Sequence, residues 1–242
     1  MKLVKLNAIN STNTYLKQLA KEIGTSNWTV VSAEFQTSGR GQVQNKWMSD
    51  KGKNLMFSIL IKLEALKINN QFYLNCAISL GIFEALKKYS LPQLKIKWPN
   101  DIMAVNKKIG GVLIENSLMN DSIYQTVVGI GLNVNQELFS EDLPKAISML
   151  NLLNKEFDRD EILVQIVASI QVQIKLLEDN KFELLHRNYE RQLFKKGKAC
   201  MFEENGIKFL GKILGVNNQG LLIIEKENQI IKKYNFKEVK FL

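Results

Sequence analysis

Two segments of the chain carry side chains suited to activating a carboxylic acid with a nucleotide. The first places Arg40 between Gly39 and Gly41. Glycines let backbone N–H groups approach a ligand closely, and a guanidinium donates paired hydrogen bonds to carboxylate or phosphate oxygens. The second places Asp101 and Lys108 seven residues apart across a predicted β-hairpin. Together the two segments predict one site for a small acid and a nucleotide phosphate.

The second segment also contains a turn and a pair of glycines. Pro99 restricts the backbone and exposes Asn100 and Asp101 at the end of a predicted strand. A simple β-turn is the alternative interpretation, because Pro-Asn-Asp suits a turn. Gly110 and Gly111 favour a site, because two glycines inside the next strand weaken it unless a ligand approaches closely.

A third segment has glycines two positions apart, followed by an asparagine. Gly129 and Gly131 leave one face of the predicted strand bare, and Asn133 adds an amide, which predicts a flat pocket for a purine. A twisted strand that ends in a turn is the alternative. The sequence has neither a Walker phosphate loop nor a Gly-rich turn opening a helix after the first strand, which argues against P-loop and Rossmann sites.

Composition narrows the function classes. The formal net charge of +9 and the pI of 9.4 suit nucleic acid, a membrane surface or an acidic protein as partner, or else a Lys-rich cytoplasmic protein with no such partner. Two cysteines without paired spacing and a single histidine exclude a disulfide framework and a multi-histidine metal cluster. The apolar runs are far shorter than the roughly 18 residues of a membrane span, and the N-terminus lacks a signal peptide. We therefore expect a cytoplasmic protein.

The elements that must position these residues mix helices and strands. A cap at residues 11–13 begins a predicted helix that continues to residue 23, and a long loop at 37–53 is typical of a binding loop or lid. Further helices are predicted at 71–89, 160–177 and 182–193, and strands at 28–35, 54–62, 94–98, 102–105, 109–116 and 123–134. Five short strands after residue 194 predict a small SH3-like or OB-like barrel. The predicted domains are 1–193 and 194–242.

In this order along the chain, the segments resemble the biotin protein ligases, the biotin–[acetyl-CoA-carboxylase] ligases, in the short form without an N-terminal DNA-binding domain. The resemblance extends over essentially the whole chain. Its most specific part is residues 97–101 together with 108–111, and its other motifs lie at 11–13, 36–41, 46–47 and 129–133. It implies an α+β fold, in which a mixed β-sheet of the class II synthetase-like, biotin–lipoate ligase type is flanked by helices and followed by a small C-terminal SH3-like barrel.

The resemblance implies two half-reactions in one site. The biotin carboxylate attacks the α-phosphate of MgATP to give biotinyl-5′-AMP and pyrophosphate. A lysine of a biotin carboxyl carrier domain then attacks the mixed anhydride and releases AMP. The implied small molecules are biotin, ATP and Mg²⁺, and the implied protein partner is the carrier domain. No DNA or membrane partner is implied, and the enzyme is either a monomer or a homodimer.

The resemblance also assigns residues by position. Arg40, Lys108 and Asp101 are the implied catalytic residues, with Asp101 either binding magnesium through water or orienting the incoming amine. Trp47 is expected to close over the ligand near the adenine. The implied biotin contacts are Ser11, Thr12, Asn13, Gln36, Gly39, Arg40, Gly41, Gln42, Lys108, Gly110 and Gly111. The implied ATP and adenylate contacts are Arg40, Trp47, Asn100, Asp101, Lys108 and Asn133.

Two departures from the family pattern qualify this expectation. Residues 42–45 stand where relatives often carry further arginines and a glycine, so we expect weaker phosphate capture. The arginine with which the family's C-terminal barrel often ends is missing from residues 238–242.

Three other functions stay open. A lipoate or octanoate ligase of the same superfamily is not expected to carry these motifs in this arrangement. A nucleic-acid-binding protein is suggested by the charge and the barrel, but no strand has an aromatic–basic signature. A catalytically inactive biotin sensor is disfavoured because Arg40, Asp101 and Lys108 are all present.

Overall fold

The larger part of the molecule is a seven-stranded mixed sheet. The computed structural model describes residues 1–22, 24–42, 45–141 and 143–242. The strands of the sheet are β1 (Lys2–Leu6), β2 (Thr29–Ala33), β3 (Leu55–Lys67), β4 (Lys95–Lys97), β5 (Asp101–Ala104), β6 (Lys107–Met119) and β7 (Ser122–Leu132). Their spatial order is β1-β2-β3-β7-β6-β5-β4. Strands β1 and β2 run parallel, and the remaining neighbours pair in the antiparallel sense.

The two faces of this sheet are both apolar, because successive side chains of a strand point in opposite directions. Ile59 and Val128 belong to the main core, which includes helices α2 (Gln71–Lys87) and α4 (Arg159–Glu178). Their neighbours Leu60 and Val127 pack with Leu16 of helix α1 (Thr12–Leu19) in a second cluster. Helix α1 therefore covers the face opposite to α2 and α4.

Helix α2 is apolar on nearly all sides because it is enclosed. It packs against α4 and against α5 (Phe182–Arg191), and a short helix α3 (Met149–Leu153) precedes α4. At the crossing of α2 with α4, a β-carbon at Gly81 would lie 2.7 Å from the Cα of Ile170. The glycine thus allows the two helix backbones to approach closely.

The C-terminal part is a five-stranded antiparallel sheet. It contains β8 (Ala199–Glu204), β9 (Ile207–Val216), β10 (Leu222–Lys226), β11 (Ile231–Tyr234) and β12 (Lys240–Phe241), in the order β11-β10-β9-β8-β12. Phe202 and Tyr234 of this sheet are fully buried in the same core cluster as α2. The predicted α+β class is confirmed, and the small sheet is compatible with the predicted barrel. The domain boundary at 193/194 stays a prediction.

Several element boundaries differ from the sequence predictions. Helix α1 ends at Leu19 rather than at Ile23, which lies outside the described residues. Strand β1 and helix α3 were not predicted. The β5–β6 turn is centred on Val105 and Asn106, which both have positive φ. No helix in the described ranges is long and apolar enough to span a membrane.

Candidate active site

Small residues in register across neighbouring strands form the floor of a cavity of about 680 Å³. Gly111 of β6 pairs with Gly131 of β7, and one row further along the sheet Gly129 of β7 pairs with Ser58 of β3. Because side chains alternate, these positions all lie on the face that α1 covers. The side chain of Asn13 occupies the space that a β-carbon at Gly129 would fill. The absence of side chains at these glycines therefore lets groups from other elements pack against the strands.

Asp101 and Lys108 meet at one side of this floor. Asp101 begins β5 and pairs in register with Gly111, while Met103 pairs with Lys108, so Ile109 is an extra residue in β6. Such a β-bulge puts Lys108 and Gly111 on the same face, although residues three apart in a regular strand face opposite sides. The Lys108 Nζ lies 2.6 Å from the Asp101 Oδ1. This arrangement confirms the proximity that their spacing predicted.

The space that Lys108 occupies is provided by Gly111. A β-carbon at Gly111 would lie 3.1 Å from the Lys108 Nζ and 3.5 Å from the Trp47 ring. The Nζ also lies 5.7 Å from the centroid of that ring. An ammonium held over an aromatic ring and beside a carboxylate is well placed to meet a phosphate oxygen.

The start of α1 contributes a cluster of amides and hydroxyls. The backbone N–H and the hydroxyl of Thr12 donate to the Gln36 Oε1, at 2.8 and 3.1 Å. The hydroxyl of Ser58 lies 2.7 Å from the Thr12 Oγ1 and 2.5 Å from the Asn13 Oδ1. Ser11 occupies the N-cap position, as predicted, but its side chain makes no capping hydrogen bond. Ser11 instead lines the cavity.

The loop after β2 folds back on itself and lies over the floor. The Trp47 N–H donates to the Gly39 carbonyl at 2.9 Å, and the Gly41 N–H donates to the Asn45 carbonyl at 2.7 Å. A β-carbon at Gly39 would lie 2.5 Å from the Trp47 carbonyl oxygen. Loop closure therefore explains these glycines, whereas the sequence interpretation had offered their N–H groups to a ligand. Arg40 and Gln42 line the cavity, and Val43 and Gln44 lie outside the described residues.

Two asparagines differ in where their amides are directed. Asn100 lines the cavity, and its Nδ2 donates to the Val112 carbonyl at 2.7 Å. Asn133 is buried, and its Nδ2 donates to the Ile147 carbonyl at 3.1 Å, on the approach to α3. Of the predicted site residues, Gly39, Gly110 and Asn133 do not line the cavity. The others do: Ser11, Thr12, Asn13, Gln36, Arg40, Gly41, Gln42, Trp47, Asn100, Asp101, Lys108 and Gly111.

The cavity also contains cations that were not predicted as site residues. Lys97 pairs in register with Asp101, and the backbone N–H of Lys108 donates to the Lys145 carbonyl at 2.6 Å, which brings Lys145 alongside. Lys237 and Lys240 reach the cavity from the C-terminal sheet. No local pattern could have indicated them, because their position depends on how that sheet docks.

Docking of the C-terminal sheet also shapes the turn before Asp101. The Trp98 Nε1 donates to the Gly220 carbonyl at 2.8 Å, and the Phe236 ring meets the Trp98 ring edge-on. The Phe241 ring lies 4.9 Å from the Lys97 Nζ. Burial lowers the pKa of Lys97, and the charges of Lys108, Lys145 and Lys195 lower it further, against the opposing effect of Asp101.

Carboxylates are scarce in the cavity. Asp101 is the only acidic residue among the described residues that line the cavity. The same lining includes seven cationic residues: Arg40, Lys46, Lys97, Lys108, Lys145, Lys237 and Lys240. Within the described ranges, no three His, Cys, Asp or Glu residues are grouped as a metal site. The cavity is therefore suited to an anion, and any cation in it would be shared with that anion.

The fold and the cavity are suited to a ligase-type enzyme, because an arginine, a lysine and a carboxylate meet around one cavity. Comparison with known proteins is more specific. Residues 6–133 match the model of the Biotin/lipoate A/B protein ligase family. The chain belongs to this family.

The similarity to individual relatives extends along about two thirds of the chain or more. The biotin protein ligase from Aquifex aeolicus, solved in complex with biotin and ATP, is 30% identical with a TM-score of 0.81, and the match covers 100% of this chain and 99% of that one. The bifunctional ligase/repressor BirA of Bacillus spizizenii is 26% identical over 96% of this chain and 72% of its own length. The biotin–[acetyl-CoA-carboxylase] ligase of Mycobacterium tuberculosis is 28% identical over 68% of this chain and 60% of its own length.

Proposed function

We propose that the protein is an ATP-dependent biotin protein ligase. It joins biotin to ATP to form biotinyl-5′-AMP and pyrophosphate, and then transfers the biotinyl group to a lysine of a biotin carboxyl carrier domain with release of AMP. The observation that carries this proposal is the meeting of Arg40 with Asp101 and Lys108, from two separate segments, around one cavity. The full-length similarity to a biotin protein ligase solved with biotin and ATP supports it.

The polar cluster at the start of α1 favours biotin over lipoate. Thr12, Asn13 and Gln36 present amide and hydroxyl groups to one end of the cavity, which suits the cyclic urea of biotin. A dithiolane ring offers no comparable donors and acceptors, so the same groups would lose their hydration without gaining partners. Sites that hydrogen-bond a substrate group reject analogues that lack it by large factors.

At the reacting end, Arg40 and Lys108 stabilise the negative charge that grows on the α-phosphate during attack by the carboxylate. Trp47 covers this region, and its Nε1 is buried with no partner in the described part of the chain, which leaves a donor for a ligand oxygen. Asn100 lines the same region. Because the adenylate is hydrolysed by water, coverage by the loop also protects the intermediate.

The carboxylate of Asp101 is a suitable ligand for the Mg²⁺ of MgATP. Magnesium at nucleotide sites is usually held by one or two carboxylates, by water and by phosphate oxygens, and Asp101 supplies one such carboxylate. When bound, the ion neutralises phosphate charge. In the second half-reaction, Asp101 can instead accept a hydrogen bond from the attacking amine of the acceptor lysine and so orient it, as it already orients Lys108.

The protein acceptor is proposed to approach over a cationic rim. Lys46, Lys145, Lys237 and Lys240 are exposed at the cavity and suit an acidic carrier domain, in keeping with the net charge of +9. We further propose that the protein acts on this domain in the cytoplasm, as a monomer or homodimer. Neither DNA nor a membrane is a proposed partner.

One experiment tests the proposal directly. The protein is incubated with ATP, Mg²⁺ and either biotin or lipoate, and acyl-AMP is measured by mass spectrometry before and after addition of a carrier domain. We expect biotinyl-AMP, followed by a biotin mass shift on one carrier lysine and none with lipoate. Acyl-AMP from lipoate alone would instead identify a lipoate ligase, and salt-dependent nucleic-acid binding without adenylation would refute a ligase function.

A further inference from the structure

A glutamate outside the cavity connects the two ends of the site. Glu115 lies on β6 two rows beyond Gly111 and on the same face, opposite Val127. Its carboxylate accepts hydrogen bonds from Asn13 at 2.8 Å, from Lys17 at 2.9 Å and from Arg40 at 3.1 Å. Asn13 and Arg40 share the oxygen Oε2, whereas Lys17 contacts Oε1.

The three donors come from two parts of the fold. Asn13 and Lys17 are one turn apart on α1, so both reach the same carboxylate from the helix. Arg40 comes from the loop over the cavity, and its side chain is 46% exposed. A long, half-exposed side chain on a loop has many rotamers of similar energy, and one fixed hydrogen bond removes most of that freedom. The bond uses one terminal nitrogen of the guanidinium, which leaves other N–H donors for a ligand.

The same contacts keep the Glu115 carboxylate negatively charged. Burial raises its pKa, but the hydrogen bonds from Asn13 and Lys17 and the charge of Arg40 outweigh burial and hold the pKa below the ordinary value for glutamate. The cluster of one carboxylate with Arg40 and Lys17 keeps a net positive charge. It therefore orders Arg40 without cancelling the attraction of the site for an anion.

We propose that Glu115 is a positioning residue, which fixes Arg40 over the cavity relative to Asn13 and so aligns the phosphate-binding end of the site with its urea-binding end. This role rests on the proposed function. It differs from a competing role, in which Glu115 would block Arg40 until an anion displaced it. The two roles predict opposite effects when the charge is removed.

The test is a double-mutant cycle between Glu115→Gln and Arg40→Ala. Glutamine keeps an acceptor oxygen for Asn13 but removes the charge that holds the guanidinium. Single-turnover formation of biotinyl-AMP should slow by roughly 10- to 100-fold in E115Q, the scale of a lost charge-assisted hydrogen bond, with little change in KM for biotin. In the R40A background, E115Q should change the rate by less than about twofold, because the residue acts through Arg40.

Lys17→Met is the matched control. Lys17 contacts the same carboxylate but does not line the cavity, so K17M should leave the rate near that of the wild type. E115Q should keep its full effect in the K17M background. A fall in rate that multiplies with R40A would indicate a general structural defect and overturn the proposal, as would an unchanged or faster E115Q enzyme.

The same cycle is repeated with ATP binding measured by calorimetry, which does not require biotin to be the substrate. Weaker ATP binding in E115Q, and not in R40A/E115Q relative to R40A, supports the positioning role. Equal or tighter binding in E115Q overturns it. If the wild-type protein binds ATP but forms no biotinyl-AMP, the proposed function is refuted. The calorimetric comparison of E115Q with R40A/E115Q would then still test the positioning role of Glu115.

Discussion

The indole ring of Trp47 lies over Gly131, in the space that any β-carbon at that position would occupy. The glycine in β7 and the tryptophan in the loop are therefore a matched pair, and the bare strand face that the glycine spacing predicted is covered by the protein itself. This contact anchors the loop to the floor of the cavity, next to Lys108.

Gly131→Ala should displace Trp47 and loosen the loop. Forcing one methyl group into a packed contact typically costs about 1–3 kcal/mol, which for a protein of this size corresponds to a fall in Tm of roughly 2–4 °C per kcal/mol. Calorimetry and the rate of biotinyl-AMP formation would measure both effects. In the Trp47→Ala background the methyl group has room, so G131A should there cost little. Equal costs in both backgrounds would show that the ring does not fill this space in solution.

Lys108→Ala should lower pyrophosphate release by at least roughly 10²–10³-fold, the scale for losing one preorganised charge-stabilising donor. Lys107→Ala is the matched control, because Lys107 is the exposed neighbour in the same strand and does not line the cavity. A coupled assay of pyrophosphate would compare the two variants. Wild-type release in K108A, or an equal loss in K107A, would exclude the role given to Lys108.

Lys97→Met should make the protein more stable and less active. Folding lowers the pKa of Lys97, chiefly through burial, so the charged ammonium opposes folding at neutral pH. The stability of the wild type should therefore rise with pH as Lys97 loses its proton, and the advantage of K97M should be largest at neutral pH and shrink towards strongly alkaline pH. The observable is Tm across this pH range, together with the KM for ATP.

Lys95→Met provides the comparison for that variant. Lys95 lies two residues earlier in β4 and donates to the Gln192 Oε1 at 3.2 Å, outside the cavity. The K95M substitution should change neither the pH dependence of Tm nor the KM for ATP. A stability gain in K95M as large as that in K97M would mean that the buried charge is not its cause.

Residues 37–53 should exchange their amide hydrogens more slowly when biotinyl-AMP is bound. Arg40, Gln42 and Trp47 of this segment line the cavity, so a ligand adds contacts to the loop that covers it. Hydrogen-exchange mass spectrometry with and without the adenylate would test this, with residues 222–234 of the C-terminal sheet as an internal reference. Identical exchange of the loop in both states would contradict the protective role.

The sequence was informative where a pattern is local. The apolar residues of α2 predicted a buried helix, and the spacing of Asp101 and Lys108 across a hairpin correctly placed the two side chains together. The family resemblance then related the segments to one another, and the family match confirmed it.

What the sequence could not predict depends on contacts between distant segments. Strand β1 is a short edge strand that pairs with β2, so its own residues carry little signal. The amide of Asn133 turns towards Ile147 rather than to the cavity, which the spacing of its neighbours does not determine. Lys237 and Lys240 reach the cavity only because the C-terminal sheet docks beside Trp98.

The extra residue in β6 has a consequence for comparing sequences of this family. Ile109 is buried and lines no part of the cavity, yet as the extra residue between Lys108 and Gly111 it decides which side of the sheet the lysine faces. Replacing Ile109 by another apolar residue preserves this spacing, whereas losing one residue there turns the lysine to the other side. In an alignment, a gap between Lys108 and Gly111 should therefore mark an inactive relative more reliably than a substitution at position 109.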